Sequence, residues 1–407
     1  MRTDETTGIA EPSGLAQAGE LGPNGSTDFT AFDHTDPAIA DRVDDMFRTM
    51  REQCPVPHTR ARGGFAVAST ASALKTAVLK GSARVTGLGA AEDVVPGTAV
   101  APLFETDSPE HAGWRILLQA SFSSSAATAA EPRARETARD LLDRLAPAGT
   151  CDVTVDLASW YPSAVIADVM GIDEDRQARF RHLARVLVVP ANDTLEDLFS
   201  WLQEEISSRR GSSRQDMFTR LINDTAIRGR ALTDEELLRF AVLMVSAAVM
   251  TTADAITNVM RVLATNRSLR ARVAADLSLV PALVAESIRF DTPVAATGRT
   301  LTHDTVLDGT AVSAGTRVLC AWASGARDGV ADADSFVIER DRGDSTIAWG
   351  WGAHRCLGQR LGEMQLRVLL EEWLTRIPDF ELAPGTRPTR TFGTLRGTRD
   401  LIVTWPN

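Results

Sequence analysis

The chain has 407 residues, is 44% hydrophobic and 24% charged, and carries 43 Lys plus Arg against 54 Asp plus Glu, a net charge of −11. Such values belong to folded globular chains and exclude a disordered, collagen-like or disulfide-framework protein. An acidic balance without a clustered basic stretch also argues against a nucleic-acid partner. Cys54, Cys151, Cys320 and Cys356 lie far apart and form no CxxC pair, so a cysteine with a special role must act alone. The longest apolar run, Phe240 to Met250, has 11 residues and includes Ser246, against the roughly 20 needed to cross a bilayer. The first 26 residues hold no apolar segment of a secretory signal. A cytoplasmic chain without a membrane span is therefore expected.

Residues 1–28 are rich in Gly, Pro, Ser, Thr and Glu without periodicity and predict a disordered tail, ahead of a single domain over 29–407. Helical periodicity follows over 38–53, 71–79, 109–122, 133–145, 156–170, 174–188, 195–209 and 234–265, with a short strand at 64–68. From about 295 to 345 the pattern turns to short strands with turn signals, among them Asp308-Gly309 and Ala314-Gly315. A helix over 357–376 precedes a β-rich end. The 234–265 segment opens on a capping box, Thr233 with Glu236, and would span roughly 50 Å. Its middle is apolar nearly all round, which puts it in the core. Thr251 and Thr252 interrupt that stretch; taken alone they would bond back to carbonyls of their own helix.

The stretch Ile347-Ala-Trp-Gly-Trp-Gly-Ala-His-Arg-Cys-Leu-Gly places Cys356 at the end of a glycine-bearing loop and just before a helix. There the helix dipole and free N–H groups favour a thiolate, and so a metal ligand. A lone cysteine is more often a small buried hydrophobe, but Gly350, Gly352, His354 and Gly358 surround this one at fixed spacing. The stretch resembles the haem-binding loop of the cytochrome P450 family, FGxGxHxCxG, with Trp349 in place of the usual Phe. Three further segments resemble that family in the same order, over about residues 30–407. Glu286-Ser-Ile-Arg289 is similar to its ExxR motif, Ser108 to Arg115 to its helix C, and Ala247-Ala-Val-Met-Thr-Thr252 to its AGx(D/E)TT.

The resemblance implies a mainly α fold with small β-sheets, a triangular prism whose long central helix crosses a haem b. By family position Cys356 would ligate the iron, with Ala248, Trp349 and Gly358 against the haem and His111, Arg115, Arg299 and His354 on its propionates. Four donors there would offset two carboxylates that are otherwise costly to bury. Glu286 and Arg289 would form a structural pair, with a third partner open between Arg340 and Arg342, because Ser335 stands where the family often has Arg. Thr251, with Thr252, keeps the hydroxyl used in oxygen activation. Met250 replaces the acid that normally precedes it, leaving water, substrate or Asp254 as the proton source. Substrate contacts would come from Arg84, Asn192, Ala248, Val249, Val294, Ala295 and Phe392, a set that favours a compact, largely apolar molecule.

The activity expected is hydroxylation of a small secondary metabolite by a monomeric monooxygenase, using O2 and electrons from a separate ferredoxin with its NAD(P)H reductase. Oxidative C–C or C–N coupling, on a cyclic dipeptide or an aromatic substrate, stays open because of Met250. A non-catalytic helper or haem sensor is the third reading. Retention of Cys356, Thr251 and all four propionate positions weighs against it.

Overall fold

Caps and apolar stripes decide where the helices run. In chain order these are α1 (Val43–Gln53), α2 (Ala71–Ala77), α3 (Glu110–Leu118), α4 (Ser124–Leu145), α5 (Tyr161–Val169), α6 (Glu174–Ala184), α7 (Leu195–Arg209) and α8 (Met217–Asp224). After them come α9 (Asp234–Thr265), α10 (Arg267–Ala275), α11 (Val280–Phe290), α12 (Trp322–Gly325) and α13 (Gln359–Arg376). This computed structural model describes residues 28–79, 83–85, 101–224, 226–227, 230–340 and 344–406. The segment predicted as a tail lies, apart from Asp28, outside the described residues.

The central helix α9 has the predicted bounds because its capping box forms. Thr233 Oγ1 accepts the Glu236 N–H at 3.2 Å, and a Glu236 carboxylate oxygen accepts the Thr233 N–H at 2.8 Å. By length and composition α9 would pass for a membrane span, with a mean hydropathy of 1.7 over its most apolar window, but 61% of that window is buried inside the protein. It is a core helix, packed against α5, α7, α11 and α13. Helix α4 is longer than the sequence pattern predicts. Pro132 suggests a start at residue 133, since proline removes an intrahelical bond. Instead the helix begins at Ser124, capped by Ser123 Oγ on the Ala126 N–H, and Pro132 sits inside it. Contact along α13 holds it there, reinforced by a charge lattice: Arg135 pairs with Glu131, Glu371 and Glu372, and Arg367 pairs with Glu131 and Glu371.

Among the described residues the largest sheet has five strands in the order β1-β2-β10-β7-β3. They are β1 (His58–Thr59), β2 (Phe65–Ala68), β3 (Ala83–Val85), β7 (Thr297–Leu301) and β10 (Arg317–Cys320). Only β2 and β10 pair in parallel. A three-stranded sheet joins β4 (Thr150–Asp152), β11 (Glu381–Leu382) and β14 (Ile402–Thr404). Short hairpins pair β5 (Ala226–Ile227) with β6 (Arg230–Ala231), β8 (Thr305–Leu307) with β9 (Thr310–Val312), and β12 (Thr389–Arg390) with β13 (Thr398–Arg399). The β8–β9 turn is the predicted Asp308-Gly309, both residues at positive φ (45° and 81°), as a two-residue hairpin needs.

Candidate functional site

Cys356 ends a loop shaped by two left-handed glycines, Gly350 (φ 77°) and Gly352 (φ 71°). A Cβ on Gly352 would also press on the Val78 carbonyl oxygen. The Cys356 N–H donates to the Trp349 carbonyl oxygen at 2.8 Å, closing the loop at the entry to α13. The cysteine is exposed at its surface, yet the protein packed around it raises its thiol above the ordinary value, against the Gly358 N–H and Arg115, which pull it down. The helix N-terminus alone therefore does not make the thiolate expected from sequence; coordination to a metal deprotonates a thiol outright. Gly358 has an ordinary φ, and a Cβ there would meet no protein atom within 4 Å. Neither strain nor crowding by protein explains glycine here, whereas a flat group lying against the loop would.

Four donors converge beside this loop. One face of α3 carries Trp114, stacked on Phe240 of α9 (centroids 5.1 Å apart), which fixes the rotation of the helix. That rotation sets His111 on His354, ring centroids 3.9 Å apart, and lets Arg115 Nη1 donate to the Arg355 carbonyl oxygen at 2.8 Å. Burial lowers the pKa of His111, and pushes that of His354 down to about 3, so both rings are neutral donors or acceptors at pH 7. His111 Nε2 is buried with no hydrogen-bond partner among the described residues. Arg299, on β7, is 6% exposed, and the one side-chain hydrogen bond it makes among the described residues goes to the Gly298 carbonyl oxygen. Buried cationic and unpartnered groups of this kind call for an anionic ligand. The residues thus fit a haem with two propionates.

The pair on α11 is complete. Arg289 grips Glu286 through two bonds of 2.8 Å, and Arg340 Nε adds a third at 3.1 Å to Glu286 Oε1. Arg340 is thus the third partner; Arg342 lies outside the described residues. Ser335 contributes through its carbonyl oxygen, which accepts from both Arg289 and Arg340.

In the middle of α9, Ala247 is exposed and Ala248 and Thr251 are half-buried, so this face borders open space within an otherwise buried helix. The Thr251 hydroxyl donates to the Ala247 carbonyl oxygen at 2.7 Å, and Thr252 is buried. Asp254 departs from its expected part as an available acid. It is 2% exposed and ion-paired to Arg399 Nη1 at 2.8 Å; burial outweighs the pull of Arg399 and leaves its carboxyl above the ordinary value. Met250 and Asp254 instead line a cavity of about 270 Å³ with Leu187, Val188, Phe392 and Leu395. Of the predicted substrate contacts, Phe392 reaches this cavity. Val249 and Ala295 are sealed in the core and offer no surface, a correction to the sequence reading that follows from their side of the helix and strand end. Val294 bridges to Leu395, while Arg84 and Asn192 are exposed away from the cavity walls.

A single cysteine set among donors, with no group of three or more His, Cys, Asp or Glu placed to hold a metal among the described residues, is the arrangement of a haem-thiolate oxidoreductase. Comparison with known proteins agrees. The family model for Cytochrome P450 matches residues 180–400. Cytochrome P450 monooxygenase PikC of Streptomyces venezuelae is 31% identical over 74% of this chain and 76% of its own length. Steroid C26-monooxygenase of Mycolicibacterium smegmatis is 28% identical over 83% and 86%. A solved cytochrome P450 structure from Chondromyces apiculatus superposes with a TM-score of 0.81 at 26% identity, covering 92% of this chain and 98% of that one. The chain belongs to the cytochrome P450 family; it is a monooxygenase whose cofactor is protoporphyrin IX haem.

Proposed function

We propose that this monooxygenase hydroxylates a largely apolar secondary metabolite in the cytoplasm, with Cys356 as the iron ligand and a ferredoxin as electron donor. The observation that carries the site assignment is the convergence of His111, Arg115, Arg299 and His354, without carboxylate ion-pair partners among the described residues, beside the Cys356 loop. When bound through Cys356, haem would supply the iron centre for dioxygen activation, its thiolate ligand adding electron density to the metal. The chain's own residues do the rest. Arg115 and Arg299 neutralise the propionates, and His111 and His354 donate to them without adding charge. Gly358 lets the ring lie close to the loop. Thr251 holds a hydroxyl over the reacting side and passes protons from water, because Asp254 is paired and its carboxylate occluded. Met250 keeps that flank apolar. The steroid in the name of the Mycolicibacterium relative supports a rigid, alicyclic substrate.

The reduced CO adduct tests the assignment. A red-shifted Soret band typical of thiolate ligation is expected, and Cys356→His should abolish it while some haem is retained. A wild-type adduct resembling a histidine-ligated globin would overturn it.

A further inference from the structure

The polar feature of α9 that the reaction above leaves without a task is the Asp254–Arg399 pair. Arg399, on β13, donates from Nη1 to Asp254 Oδ1 at 2.8 Å and to the Thr398 carbonyl oxygen at 3.2 Å. Space for the pair is built into the fold. A Cβ on Gly397 would collide with both Asp254 Oδ1 and Arg399 Nη1, although this glycine is not at positive φ. A buried ion pair gains little stability against well-packed apolar residues, so stability alone is a weak reason to find one in a cavity wall.

The partners face the cavity unequally: the Asp254 side chain is 3% exposed, that of Arg399 31%. Among the described residues Arg399 Nε and Nη2 have no hydrogen-bond partner. The guanidinium is thus the donor presented to a cavity of about 270 Å³ whose other walls include Leu187, Val188, Met250, Phe392 and Leu395. Because Asp254 already balances its charge, a carboxylate ligand would bring surplus negative charge into apolar surroundings, whereas a neutral acceptor brings none. Asp254 holds the planar guanidinium through Nη1, leaving Nε and Nη2 unengaged among the described residues and free to donate to an acceptor in the cavity.

We propose that Arg399, held in place by Asp254, is a specificity-determining residue that donates hydrogen bonds to a carbonyl oxygen of an otherwise apolar substrate and so decides which end of it lies toward Thr251. The proposal rests on the monooxygenase reading and names a feature of its substrate. A site that bonds a substrate oxygen rejects analogues lacking it more strongly than apolar walls reject a missing methylene.

The test uses the haem-loaded full chain, titrated with 1-tetralone and with tetralin while the ferric spin state is followed. The ketone should bind the wild type at least about 10-fold tighter than the hydrocarbon. Arg399→Met and Arg399→Lys should bring the two ligands to within about 3-fold by weakening the ketone alone. The lysine variant keeps a cation for Asp254, so it separates recognition from the upkeep of that carboxylate. Equal binding in the wild type, no saturable response to the ketone, or variants that weaken both ligands alike would overturn the proposal. The reduced CO adduct of the same preparations separates the two failures. A wild type without the thiolate band defeats the monooxygenase reading; a normal band without ketone preference defeats the anchor.

Discussion

The Thr251 hydroxyl donates its proton to the Ala247 carbonyl oxygen, and a hydroxyl so engaged still has lone pairs with which to accept. Thr251→Ala should therefore cost little stability, about 1 kcal/mol or less, yet raise the hydrogen peroxide released per NAD(P)H consumed. Thr251→Ser should restore coupling; unchanged peroxide release in Thr251→Ala would remove the hydroxyl from the reaction. Met250 lies one turn before Asp254 on the same cavity wall, so Met250→Asp puts a second carboxylate within reach of Arg399. If hydroxylation is the native reaction, isotopically labelled dioxygen should leave label in the product of the wild type and of this variant. A product with new C–C or C–N bonds and no label would instead establish coupling. Cys356, His354, Glu286 and Arg289 were legible as single residues because each sits in a short motif whose spacing carries its meaning. Arg399 was not, since its partner is 145 positions away in the chain and only the fold joins them.

Elements were readable in proportion to how local their stabilisation is. Helices α7 and α9 have the predicted bounds because their capping boxes, Thr194 with Asp197 and Thr233 with Glu236, are contiguous in sequence. Helices α8 and α10, of 8 and 9 residues, escaped, being too short for periodicity to speak and dependent on tertiary contacts. The docking of α1 could not be read at all. It depends on Asp44, which takes Arg396 at 2.6 Å, Arg390 at 3.4 Å and Arg327 at 3.5 Å, three cations from far along the chain. Burial pushes the Asp44 carboxyl upward, but Arg396, Arg327 and Arg390 outweigh it and hold the pKa well below the usual carboxylate range. A depressed carboxylate contributes stability that is present above its unfolded pKa, about 3.9, and that is lost as pH falls toward the folded value. Asp44→Asn removes the carboxylate partner of Arg396, 4% exposed, while Arg327 keeps Asp334 at 2.7 Å, and should cost roughly 3 kcal/mol at pH 7. The difference from wild type should shrink between about pH 5 and pH 3. Urea denaturation of the holoenzyme over that range measures it, and a pH-independent difference would show that the lost packing matters and the charge does not.

At the scale of the molecule, four motifs in a fixed order identified the fold, while the distribution of charge over its faces became visible only once α4, α11 and α13 were assembled. Behind the Cys356 loop a cavity of about 510 Å³ is lined by Trp349, Arg355, Gln359, Arg360, Glu363 and Arg367, among others. The Trp349 carbonyl oxygen accepts the Cys356 N–H, so this face lies one residue layer from the sulfur, and it is where the proposed ferredoxin would dock. The chain as a whole is at −11, so attraction for an acidic partner must be local. Its arginines are not equivalent. Arg360 is offset by Glu363 at 3.0 Å, and Arg367 is shared between Glu131 and Glu371. Arg355 has no carboxylate partner among the described residues. Electron transfer from ferredoxin should therefore slow as ionic strength rises, because exposed charges are screened beyond about 8 Å at physiological salt. Arg355→Glu should lower the second-order rate more than Arg360→Glu, whose positive charge is already balanced. Stopped-flow reduction at a series of salt concentrations measures both effects. A salt-independent rate, or a rate unchanged in Arg355→Glu, would place the docking surface elsewhere on the molecule.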